Sequence, residues 1–181
     1  WNASGQIPDR AVADGSIGFF GAIDDNEGGK TSRYNASAEL MHNLGNGAVL
    51  RNQFFYSHYN FELYSNFTFF KEDPVNGDQI RQKEDRHITG YNMSYQQDHE
   101  WSGRKAQFST GLQTRYDIIN DIELSRTKNR TQTTNPLMLG DIQELNAGIY
   151  IQEKLILNSR WDITAGIRSD YFTNRYDDRL A

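Results

Sequence analysis

Polar and apolar residues alternate along this chain with a period of two, and helical periodicity is nearly absent. The clearest stretch is residues 105–116. Its even positions are Ala106, Phe108, Thr110, Leu112, Thr114 and Tyr116, and its odd positions are Lys105, Gln107, Ser109, Gly111, Gln113 and Arg115. Successive side chains of a strand point to opposite faces, so this segment has one face compatible with lipid and one that is wet. Trp161, Ile163, Ala165, Ile167 and Tyr171 repeat the logic, as do Leu145, Ala147, Ile149 and Ile151, then Tyr34, Ala36, Ala38 and Leu40, then Thr89, Tyr91, Met93 and Tyr95. Residues 48–60 are ambiguous, because Phe54, Phe55 and Tyr56 are consecutive and leave both faces apolar. The pattern predicts six strands of roughly 10–13 residues, long for a globular protein and close to what a tilted strand needs to cross a bilayer.

The connections carry the second signal. Short gaps fall at residues 43–47, 98–104 and 158–160, and long ones at residues 61–86 and 117–142. Structureless loops of that length are uncommon in a soluble domain. In an outer-membrane barrel the alternation follows from topology, with short periplasmic turns and long extracellular loops, and it assigns residues 1–31 to the outside as well. Trp101 in a short gap and Trp161 beside another suit an interfacial aromatic girdle. The fold class expected is all-β: a fragment of an antiparallel transmembrane β-barrel with about six long strands. A soluble β-sandwich with two large loops is the competing arrangement.

Composition sharpens this. The 181 residues are 36% hydrophobic yet 13% aromatic, and mean hydropathy is −0.79. Disordered chains are poor in aromatics. A polar, aromatic-rich chain suits a barrel whose lumen is wet and in which only alternate residues meet lipid. A net charge of −5 argues against nucleic acid as a partner. The absence of cysteine excludes a disulfide framework and a Cys-based zinc site. Residue 1 is Trp, no charged-then-apolar leader follows it, and residues 177–181 stop in a polar stretch. The expectation is that residues 1–181 are part of one barrel domain truncated at both ends.

Residues 1–12 (WNASGQIPDRAV), Gly15-Ser16-Ile17, Phe20-Gly21-Ala22-Ile23-Asp24 and Gly28-Gly29-Lys30-Thr31-Ser32-Arg33 resemble a loop-to-strand segment of TonB-dependent receptors. The resemblance continues through Tyr64-Ser65-Asn66-Phe67-Thr68-Phe69-Phe70 and residues 73–79. It returns at residues 148–153, at Ala165-Gly166-Ile167-Arg168 and at Asp170-Tyr171-Phe172. It implies a barrel of about 22 strands in the bacterial outer membrane, plugged by an N-terminal domain that is absent here. It also implies import of a scarce small-molecule ligand, such as a ferric siderophore, with energy from the TonB complex acting through the missing plug. Outer-membrane lipid and lipopolysaccharide are the other expected partners. The alternatives are a passive outer-membrane pore or surface-binding barrel, and a soluble β-sandwich carbohydrate-binding module.

Several loop residues are candidates for ligand contact. Pro8 fixes φ and Gly5 permits a turn, so the first loop can fold back over a barrel mouth and present Gln6 or Arg10, or it can be purely structural. Asn66 lies in the first long loop. Arg126, Lys128 and Arg130, with Thr127, Thr131, Thr133 and Thr134, make the second loop cationic and rich in hydroxyls, suited to anionic ligands or to lipopolysaccharide phosphates. Arg115, Arg168, Asp162, Asp170 and Glu39 are expected to line the lumen as charge ladders. Asp24, Asp25 and Glu27, and likewise Asp73 and Asp78, lack the spacing of a calcium loop, and turn chemistry accounts for them. His42, His58, His87 and His99 are dispersed, with no two at metal-ligand spacing on one element. No nucleophile–base pair, acid pair or phosphate-binding loop is present, so no catalytic residue, metal ligand or cofactor is assigned and no enzyme activity is expected.

Overall fold

The computed structural model describes residues 1–3 and 5–180; Ser4 of the opening motif and Ala181 at the polar end lie outside the described residues. A short helix, α1 (Asp9–Ala13), precedes six strands: β1 (Gly28–Gly45), β2 (Ala48–Ser65), β3 (Ile80–Trp101), β4 (Arg104–Lys128), β5 (Gln132–Ile156) and β6 (Asp162–Asp178). They form one sheet in sequence order, and every neighbouring pair is antiparallel. No second sheet packs on it among the described residues, so the sandwich arrangement does not hold.

Register turns the six separate alternations into two continuous faces. One row runs Ala38, Phe54, Tyr91, Thr114, Ala147, Tyr171 across all six strands. A row of the opposite face runs Glu39, Gln53, Asn92, Gln113, Gly148, Asp170. Every apolar set named above falls on the first face. The ambiguous stretch of β2 divides cleanly: Phe54 and Tyr56 join the apolar face, whereas Phe55 joins the polar face and lies across Gly90, its partner on β3.

This sheet has almost no apolar core. Its buried hydrophobic residues are Ala48, Tyr64, Ala106 and Ile119, while Leu40, Phe54, Ile149, Ile163 and Ile167 of the apolar face are all more than half exposed. Such a surface in water would be a large aggregation-prone patch; against lipid it is the ordinary outer wall of a barrel. On β4 the apolar face runs from Ala106 to Tyr116. Ten steps of about 3.4 Å, tilted by about 45°, cover about 24 Å, close to the ~25 Å apolar band of an outer-membrane barrel. Trp101 and Trp161 are exposed at the lower end of this band, beside the tight turn at Ser102-Gly103 and the connection at residues 157–161. This is the girdle position expected for them.

The second long connection differs from the expectation. Residues 117–142 are not a loop: β4 continues to Lys128 and β5 begins at Gln132, so only residues 129–131 turn. Asn129 and Arg130 both have positive φ, at 52° and 59°, the backbone of a tight hairpin turn. Likewise β3 starts at Ile80, which shortens the first long connection to residues 66–79. The strands are therefore 17 to 25 residues long and rise well beyond any bilayer. Alternation stops marking them there because no lipid face is needed above the membrane. Ion pairs hold the extension laterally instead: Arg81 lies 2.7 Å from Glu62 and 3.3 Å from Glu123, and Lys83 lies 3.9 Å from Asp121. Asp121, at φ 53°, marks a bulge where the β3–β4 and β4–β5 registers shift.

Candidate ligand-facing surface

Most of the buried polar side chains lie at the loop end. Glu27, Asn66, Asp78, Gln79, Ser125 and Thr127 are all buried. A buried polar group left without a hydrogen bond costs about 1–3 kcal/mol; the Ser125 hydroxyl has no partner, but the bonds of the other side chains stitch three distant segments together. Gln79 is central. Its Oε1 accepts from the Thr127 hydroxyl at 3.1 Å and from the Arg130 backbone N–H at 3.0 Å, while its Nε2 donates to the Asn26 carbonyl at 3.1 Å. Arg130 Nε donates to the same carbonyl at 2.6 Å, and its Nη2 donates to Asn2 Oδ1 at 3.1 Å and to the Glu27 carbonyl. Asn66 donates its backbone N–H to Glu27 Oε1 at 2.6 Å and its Nδ2 to Asp24 Oδ2 at 2.8 Å. The opening segment, residues 66–79 and the β4–β5 hairpin tip thus form one platform.

The acidic residues of these loops fold the loops. Asp78 accepts the backbone N–H groups of Lys71, Glu72 and Asp73 at 2.8 to 3.0 Å. Burial opposes its ionisation, but the N–H groups and the Thr68 hydroxyl outweigh that and bring its pKa from 3.8 down to about 2. Asp73 accepts from the backbone of Val75 and Asn76 in an Asx turn, which also lowers its pKa.

The six loop residues read as ligand contacts fall into three pairs. Gln6 and Arg10 are exposed, the latter on α1, which Pro8 starts. Asn66 and Arg130 are committed to the platform. Arg126 and Lys128 stand between: Arg126 lies 4.0 Å from Asp78, and Lys128 Nζ donates to Asn76 Oδ1 at 3.0 Å. The cationic segment is a hairpin tip in which Arg130 is drawn into the platform and Arg126 faces Asp78, whereas Lys128 meets only a neutral amide oxygen.

Below the platform, the polar face of the sheet carries paired charges. Asp117, 2% exposed at its side chain, is held bidentately by Arg115 at 2.6 and 2.7 Å and approached by Arg86 at 3.6 Å. Arg168 pairs with Asp170 and donates to Gln113 at 2.8 Å. Asp162 pairs with Lys154 at 2.5 Å. Of the five charges expected to form ladders, Arg115, Arg168, Asp162 and Asp170 are paired, the two arginines with the residue two positions on in their own strands, and Glu39 makes no ion pair among the described residues. A cleft of about 330 Å³ opens among Arg115, Asp117, Glu144, Asn146 and Asn174. Higher on the sheet, a second cleft of about 430 Å³ is more apolar, with Tyr59, Phe61, Ile122, Leu124 and Met138 in its lining. A wall with fixed charges next to an apolar recess can hold an amphipathic small molecule.

The histidines correct the dispersed reading. His58 and His87 are direct cross-strand partners on β2 and β3, with rings stacked at 4.4 Å and an interplanar angle of 4°. Spacing within one element could not show this; only the hairpin register brings together residues 29 positions apart. Gln79 and Thr127 were also missed as organising residues, since nothing in their type or spacing marks them.

A protein-family model described as "TonB dependent receptor-like, beta-barrel" matches residues 2–181. No curated protein and no solved structure matches the chain.

Proposed function

We propose, from the premise that this chain belongs to the TonB-dependent receptor β-barrel family, that it forms part of an active importer of a scarce nutrient such as a ferric siderophore. The family is one of outer-membrane receptors and transporters rather than enzymes, which gives the protein its location and its general partners, a ligand and TonB. The apolar face then meets lipid, the polar face lines the lumen, and the loop platform lies outside the cell. Further strands and an N-terminal plug that contacts TonB would complete the receptor.

The observation that carries the ligand reading is the stitched platform beside a charge-lined wall. A receptor for a dilute ligand gains affinity from loops ordered before binding, because the ordering entropy is not charged to the complex. Gln6 and Arg10, exposed on the opening segment, are the proposed contacts, with Arg126 and Lys128 supplying positive potential toward an anionic chelate. Asn66 and Arg130 hold the contacts in place. Outward-facing polar groups above the apolar band would meet lipopolysaccharide.

The test is uptake of radiolabelled ferric siderophores by cells carrying the full-length receptor, with and without a functional TonB complex. Saturable, TonB-dependent uptake that falls in an Arg10→Ala variant supports the proposal. Uptake that continues unchanged without TonB would identify a passive pore instead.

A further inference from the structure

The apolar face carries one group of side chains that neither the barrel wall nor the import reading uses. His58 and His87 sit two residues above the Tyr56–Thr89 pair, where the lipid-facing band ends, and Asp85 is the next residue up on the same face of β3. His58 Nε2 lies 2.8 Å and His87 Nε2 lies 3.3 Å from the same oxygen, Asp85 Oδ1. The three ligand atoms all fall within 4.8 Å of one another. Each side chain is about one-third exposed, so the group is reachable from outside.

From this convergence we infer a binding site for a divalent transition-metal ion of the zinc class, ligated by His58 Nε2, His87 Nε2 and Asp85 Oδ1. Two imidazole nitrogens and one carboxylate oxygen are the donor set such ions take, and a fourth position remains for water. Tetrahedral bonds of about 2.0 Å place ligand atoms about 3.3 Å apart. The His87–Asp85 separation already has that value, and the His58–Asp85 separation needs to open by about half an ångström.

The surrounding contacts favour ligation over a plain hydrogen-bonded cluster. Tyr56 Oη lies 2.8 Å from His87 Nδ1, so the hydroxyl can accept the Nδ1 proton and leave Nε2 with its lone pair facing Asp85. Asn60 Nδ2 donates to Asp85 Oδ2 at 3.3 Å, which occupies that oxygen and leaves Oδ1 as the ligand. The two rings, stacked with planes 4° apart, need to tilt toward each other so that both in-plane lone pairs meet one ion. Because the site is on the outer wall, at the level of the outer-leaflet headgroups, its ion would be distinct from any cargo in the lumen.

The experiment uses the full-length receptor in detergent micelles, untagged, titrated with Co²⁺ and followed by visible absorption, then with Zn²⁺ to displace it. One Co²⁺ with absorption of low-symmetry N/O coordination is expected, lost in a His58→Ala/His87→Ala double variant and retained in His99→Ala. Tyr56→Phe should weaken binding by about 10-fold, the effect of removing an outer hydrogen bond to a ligating histidine. Heat-modifiable migration on gels checks that each variant is folded, and Asp85→Asn serves if the double variant is not. A wild-type receptor that takes up no Co²⁺, or a signal unchanged in the folded variants, overturns the site.

Discussion

Phe55 faces the lumen although its neighbours Phe54 and Tyr56 face lipid, and Gly90 is what makes room for it. A Cβ placed on Gly90 would lie 2.0 Å from Phe55 Cζ, and one on Gly111 would lie 2.5 Å from Tyr150 Cε1. Each glycine is the direct cross-strand partner of the ring that covers it. The hydrogen-bonded wall thus keeps its register while aromatic rings lie flat on its inner side. Gly90→Ala should destabilise the folded barrel by about 1–3 kcal/mol, the usual range for overpacking. Combining it with Phe55→Ala should recover part of that loss, as urea unfolding in detergent would show. Asp78 gives a pH-dependent case. Its pKa is lowered on folding, so its contribution is complete above about 3.8 and disappears as pH falls through about 2. Protease cleavage within residues 66–79 on intact cells should therefore rise several-fold in Asp78→Asn at neutral pH. A loop no more sensitive than wild type would show that its three N–H bonds do not hold it.

Strands are the scale at which the sequence was most legible. Wherever a strand crosses lipid, one face must be apolar, so residues 105–116 and 161–171 announce both their type and their orientation. The same rule explains the miss at residues 117–142. Above the bilayer β4 and β5 satisfy their backbones in the ladder, Glu123 of β4 shares Arg81 of β3 with Glu62 of β2, and no periodic apolar face is required. Charged residues that read as loop were strand. The assignment of faces has a direct consequence. Ile149 and Gln113 lie within one row of each other on paired strands but on opposite faces. Ile149→Lys should cost about 2–4 kcal/mol, the depth-dependent penalty for a cation against lipid, whereas a lumenal substitution is well tolerated. Refolding yield into lipid vesicles of the full-length receptor should fall for Ile149→Lys and stay near wild type for Gln113→Lys. Equal losses would mean that the two faces had been interchanged or that neither meets lipid.

The whole molecule is a lipid-stabilised wall joined to a polar cap, and the two halves are ordered by different forces. The wall rests on its ladder and on lipid, while the cap rests on half-buried hydrogen bonds between residues more than 100 positions apart, such as Asn26 with Arg130. That cap was illegible in the sequence, because Arg130 there reads as one of three loop cations rather than as a latch. Its backbone adds to the case. A non-glycine residue at φ 59° is disfavoured by about 1–2 kcal/mol, and the contacts of the guanidinium with Asn26, Asn2 and Glu27 offset that cost. Arg130→Ala keeps the strained backbone and removes the latch; Arg130→Gly removes both. Amide hydrogen exchange on the full-length receptor should show faster exchange at Ala3 and Asn66 in both variants, with more loss of protection at the hairpin tip in the alanine variant. Amides in the membrane-level parts of β3, β4 and β5 should not change, because the wall does not depend on the cap. If they exchange faster too, the cap and the wall form one cooperative unit, and ligand binding outside would be transmitted directly into the barrel.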